Sequence, residues 1–183
     1  MKVKITTRQI LKILYFISWI IFTGLCIEAG GFLVNAIFAL VKPEASKHLW
    51  QQVDLSALLK YDPGYFFTVT FTMSIAAALK ASIFYLIIKM LGNKNLNISH
   101  PFSIETRRFI FRISYLSLLI GLFSWWGVKY VEWLVRQGVN MPDIQYLRLG
   151  GADVWLFMGV ILFVIAQIFK RGIEIQSENE LTV

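Results

Sequence analysis

Four apolar runs, at residues 13–41, 64–88, 109–128 and 154–169, constrain this chain more than any other feature of its sequence. A helix crosses a hydrocarbon core about 30 Å thick with roughly 20 residues, and the four runs are of that order. With 57% hydrophobic and 16% charged residues, the 183-residue chain is too apolar for a soluble domain of its size. The expectation is an all-α membrane protein with four transmembrane helices in a bundle, at approximately residues 10–41, 64–89, 104–135 and 153–170. A tail over 171–183 completes a single domain spanning 1–183, because connections this short leave no room for a second folded unit.

Orientation follows from the basic residues. Lys and Arg number four before the first run, five in the central connection and two after the last run, against three in each of the other two connections. The excess side is normally the cytoplasmic one, which puts both termini inside. The formal charge of +7 is therefore read as topology and affinity for anionic lipid, and no direct nucleic-acid binding is expected. The N-terminal segment resembles a signal peptide, but its apolar character resumes after Glu28 and continues to Val41, which predicts a retained first helix.

Local signals place the other elements. Pro101 disfavours helical angles at His100, and Ser103 is a cap for a helix starting beside it with Glu105 in its first turn. Asp153 is a candidate cap for the last helix. In the first outer connection, Leu49, Trp50, Val53, Ala57 and Leu58 have helical spacing, which fits either a surface-lying amphipathic helix or a compact loop. Tyr65, Phe66, Phe67, Trp125, Trp126, Tyr130 and Trp133 are expected at the outer interface. Leu96 with Ile98, and Ile173 with Ile175, alternate with polar residues, and each pair suggests a short strand or, for the tail, a solvated end.

Polar residues inside the runs are the candidates for function. Gly24, Glu28, Gly31 and Asn35 share one face of the first helix, Thr72, Ala76 and Lys80 one face of the second, and Ser114, Ser117, Gly121 and Ser124 one face of the third. These faces are expected to form the bundle interior, since small residues allow close approach and polar ones avoid lipid. Glu28 and Lys80 are charges within apolar runs, which cost about 3 kcal/mol or more near the bilayer centre unless paired or hydrated. Glu28 falls roughly 24 Å from Lys12 across a core of about 30 Å, while Lys80 lies nearer Lys89, so a direct pair requires the first helix to sit deeper. Glu28, Asn35 and Lys80 form a candidate intramembrane polar site, with a packing role as the alternative.

The isolated His48 and His100 support neither a metal site nor a catalytic base, and the single Cys26 cannot form an intrachain disulfide. No phosphate loop, zinc-protease motif or serine-nucleophile elbow is present, so no enzymatic activity, cofactor or metal is expected.

Three segments resemble the bacterial family called domain of unknown function 2975, composed of small four-helix membrane proteins. They are Pro101-Phe102-Ser103 with Glu105 and the helix around Arg112-Ile113-Ser114-Tyr115; Phe169-Lys170-Arg171-Gly172 with Glu178 and Leu181-Thr182-Val183; and Val53-Asp54-Leu55 with Asp62 and Phe66. The resemblance implies a plasma-membrane protein without established activity, often encoded beside a small helix-turn-helix regulator. It supplies no catalytic residues. Two functions follow as expectations. One is a non-enzymatic protein contacting a cytoplasmic regulator through Pro101, Phe102, Ser103, Glu174, Glu178 and Glu180, the acids steering a basic partner. The other is a small transporter or ligand sensor built on Glu28, Asn35 and Lys80.

Overall fold

The computed structural model describes residues 7–48, 52–93 and 103–180. Four long helices dominate: α1 at Thr7–Val41, α3 at Pro63–Leu91, α4 at Ile104–Arg136 and α5 at Ala152–Glu180, with a 3-10 turn at Pro43–His48 and a short α2 at Ser56–Tyr61 between the first two. All four long helices carry apolar stretches sufficient to cross a membrane. The chain is an all-α, four-span membrane protein.

Helix ends follow the local chemistry. Asp62 caps α3, its carboxylate accepting from the Tyr65 backbone N–H at 2.9 Å, with Pro63 opening the helix where a missing donor is harmless. Ser103 caps α4 as its sequence position predicts, accepting from Thr106 N–H at 3.1 Å. Asp153 does not cap α5. That position belongs to Gly151, whose carbonyl accepts from Trp155 N–H and whose φ of +78° suits a residue without a Cβ, and Asp153 lies within the first turn.

Each long helix packs against the next one along the chain, in the order α1, α3, α4, α5. Among the described residues, no Cα of α1 comes within 8 Å of α4 or α5, nor one of α3 within 8 Å of α5. The α4–α5 seam is close-packed: a Cβ on Gly159 would lie 2.7 Å from the Leu118 side chain, and one on Gly121 would lie 2.6 Å from Leu156. Ser114 adds a 2.8 Å hydrogen bond to the Gly159 carbonyl across it. The expected interior face of α4 is buried at Ser114, Ser117, Gly121 and Ser124. On α3, Thr72 and Ala76 are buried and Lys80 is half-buried.

The expected α1 face is corrected. Gly24 is exposed, with nothing within 4 Å of a Cβ placed on it. The buried positions are Ser18, Phe32, Ala36 and Ala39, rotated about 100° from Gly24, Glu28, Gly31 and Asn35, one residue's turn of helix. With α3 as its neighbour in the row, α1 presents one stripe of apolar and small side chains, and Glu28 stands at the stripe's edge.

The buried core lies at the distal end, away from the first residues of α1 and the last of α5. It joins Phe32 and Ala36 of α1, Leu55, Leu58 and Leu59 of the α2 region, Phe66 and Met73 of α3, Leu134 of α4, and Leu147 and Leu149 of the following loop. The first distal connection is thus a compact packed segment over its described residues; Leu49 and Trp50 lie outside them. Phe66 is a core residue and not part of an interfacial belt. Tyr65, Trp126, Tyr130 and Trp133 instead form an aromatic ladder with centroid separations of 5.2–6.2 Å. Since Leu156 sits over Gly121, α5 begins near the level of Trp125, and α4 continues to Arg136, about 16 Å further at 1.5 Å per residue. The loop that joins them descends alongside this extension.

At the proximal end, the tail beyond Lys170 is helical through Glu180 and not a strand. Lys170 and Arg171 pair with Glu174 at 4.0 and 3.3 Å, spacings of four and three that support a helix. Leu96 and Ile98, the other expected strand, lie outside the described residues.

Candidate functional site: a charged cluster under the distal loop

Residues 147–149 read Leu-Arg-Leu, and both leucines are fully buried. Gly127 makes room for Leu149, since a Cβ there would lie 2.9 Å from its Cδ1. With its neighbours anchored, Arg148 is held at a φ of +57°, in the left-handed region that a bulky residue seldom adopts. Its Nε stands 3.7 Å from Glu28 Oε1 on α1, and its carbonyl accepts from Lys80 Nζ on α3 at 3.1 Å. Lys80 reaches this height because helical side chains lean toward the N-terminus, here the distal end of α3.

Glu28 and Lys80 are therefore brought together through a third residue, one that lies in a loop outside the apolar runs. Direct pairing across their difference in depth is not needed, as the loop supplies both partners. Asn35 lies two turns further along α1, roughly 10 Å toward the distal end, and shares no described hydrogen bond with the cluster. Counting from Lys12, Glu28 is about 6 Å inside the distal edge of a 30 Å core. It is 15% exposed, whereas Arg148 is 49% exposed, so the guanidinium reaches toward the distal surface while the carboxylate stays sheltered.

The same loop walls a distal cavity of about 520 Å³, which lies between Gln52, Val53 and Asp54 on one side and Asn140, Met141 and Tyr146 on the other. Ser56 donates to Asp54 through its hydroxyl and its backbone N–H, holding the carboxyl below its usual pKa range. Among the described residues no group of three His, Cys, Asp or Glu side chains is placed to hold a metal ion.

Two of the candidate partner residues are engaged locally. Ser103 is engaged in capping, with its hydroxyl also 2.8 Å from Thr106 Oγ1, and Glu174 is paired within its own helix. Glu178 is exposed on the last turns of α5. Pro101, Phe102 and the side chain of Glu180 lie outside the described residues.

A family model described as Protein of unknown function (DUF2975) matches residues 39–183. The chain belongs to this DUF2975 family. No curated protein and no solved structure matches it. The matched region contains Lys80, Arg148 and the whole α4–α5 seam, while Glu28 precedes it.

Proposed function

We propose that this DUF2975 protein is a non-enzymatic protein of the bacterial plasma membrane that links the state of its distal cap to a cytoplasmic partner, such as a helix-turn-helix regulator. The observation that carries this reading is the triple attachment of one loop. Arg148 touches Glu28 of α1 and Lys80 of α3, and four residues later the chain enters α5. With Leu149 of the same loop packed at Gly127 of α4, a change there bears on all four spans at once. Transport through the polar residues is less well supported, because the helices stand in a row and Glu28 and Lys80 are engaged by the loop. At the other end α5 extends from Lys170 to Glu180, about 15 Å of helix at 1.5 Å per residue, a surface for a partner to grip.

Two experiments test this reading. In intact cells, a cysteine placed at Ser177 in a Cys26→Ser background is expected to resist an impermeant thiol reagent. Labelling would reverse the proposed orientation. Affinity capture from native membranes is then expected to recover a partner whose retention drops when Glu174, Glu178 and Glu180 are changed to Gln, with a weaker salt dependence. A partner retained with unchanged affinity and unchanged salt response does not use the acidic end of α5.

A further inference from the structure

A second cavity, of about 250 Å³, opens at the proximal end between α3 and α4. Leu86, Met90 and Phe109 give it apolar walls, and Lys89, Arg108 and Arg112 give it three cations. All three cations are exposed, and none has an ion-pair partner among the described residues. The single acid in the lining, Glu105, accepts a 3.3 Å hydrogen bond from Asn93, which lines the same cavity.

The depth of this cavity is set by its own residues. Lys89 lies in the last turn of α3, and Arg108 and Arg112 flank the start of the apolar part of α4. Arg112 stands about 6 Å deeper than Arg108, so the cations span the headgroup boundary instead of lying in one plane. A purely aqueous anion would gain nothing from Leu86, Met90 and Phe109, and an acyl chain alone would gain nothing from the cations. A membrane phospholipid with an anionic headgroup satisfies both, its phosphate among the cations and its glycerol and first methylenes against the apolar wall.

We infer that this cavity binds the headgroup of an anionic phospholipid from the leaflet at the proximal end. The inference rests on the membrane-spanning fold and holds for either orientation of the chain, so its failure would leave the proposed partner role untouched.

The test uses the full-length protein purified in a neutral maltoside detergent, with lipid retention read by native mass spectrometry. The probes are phosphatidylglycerol, phosphatidylcholine with the same chains, and glycerol 3-phosphate as a soluble headgroup. Phosphatidylglycerol is expected to be retained in clear preference to phosphatidylcholine, with glycerol 3-phosphate retained least. Changing Lys89, Arg108 and Arg112 together to Gln should weaken phosphatidylglycerol retention about 100-fold, from roughly five-fold per cation at a membrane surface. Glu105→Gln should strengthen it about five-fold, a gain that misfolding cannot produce. Equal retention of the two lipids, an unchanged triple variant, or a Glu105→Gln variant without gain overturns the inference. Binding of glycerol 3-phosphate as tight as that of the lipid also overturns it, and reassigns the cavity to free phosphate esters.

Discussion

Gly159→Leu is expected to detach α5 from α4 and to lower the stability of the detergent-solubilised protein by about 3 kcal/mol or more, the upper range for overpacking a close-packed position. A Cβ at this position would lie 2.7 Å from Leu118 Cγ and Cδ2 and 3.0 Å from the Leu118 backbone nitrogen. The side chain has some freedom to turn, but the backbone nitrogen belongs to a rigid helix. Any substituent therefore pushes the helices apart, stretching the 2.8 Å Ser114 hydrogen bond to the Gly159 carbonyl. Gly121→Leu should behave alike, since its Cβ would meet both the side chain and the backbone nitrogen of Leu156. Ala at either site should do less harm than Leu. Thermal unfolding of the purified protein measures these effects, and a Gly159→Leu protein within about 0.5 kcal/mol of the parent would mean that the seam is not packed as described.

The distal attachment should give the second-largest effect. Glu28→Leu removes the acceptor facing Arg148 and is expected to cost about 1–2 kcal/mol, less than a fully buried pair would because the guanidinium is half exposed. Glu28→Gln retains an acceptor and should cost under about 1 kcal/mol. Arg148→Gly separates two contributions: it loses the guanidinium but relieves the φ of +57°, and it keeps the carbonyl that Lys80 holds. It should therefore be less harmful than Arg148→Ala, which loses the same charge and keeps the strain. Thermal stability beside a cellular readout decides the matter. If Glu28→Gln is fully stable and yet inactive, the attachment is not the role of the charge, and the transporter or sensor reading regains support.

The sequence made some of these features legible and concealed others for physical reasons. Ser103 announces α4 because a cap depends on neighbours within one turn, and the buried face of α4 is readable because Ser114, Ser117, Gly121 and Ser124 repeat at helical spacing. The face of α1 was misread by one residue. Small and polar side chains are expected to turn inward, yet a helix at the end of a row has one neighbouring span, and Gly24 faces away from it. Arg148 is hidden because a loop holding Gly138, Asn140, Pro142, Asp143, Gly150 and Gly151 reads as solvated turn. The available signal was a leucine on each side of it, an alternation that marks burial when both flanks are anchored. Ile173 and Ile175 suggested a strand, but the charges at Lys170, Arg171 and Glu174 already carried the helical spacing that prevails.

The serial order of the helices has a mechanical consequence. The two inner spans each hold two neighbours and the two outer spans one, so a force drawing the chain out of the membrane meets unequal resistance at its two ends. Peeling from the α5 end opens the α4–α5 seam first and only then loads the loop that carries Arg148. Peeling from the α1 end opens a comparable seam and must also break the short tether at Glu28, a localised resistance that yields in one step. The α3–α4 seam is reached second from either direction, and as the sparsest of the three it is where the row divides into an α1–α3 pair and an α4–α5 pair.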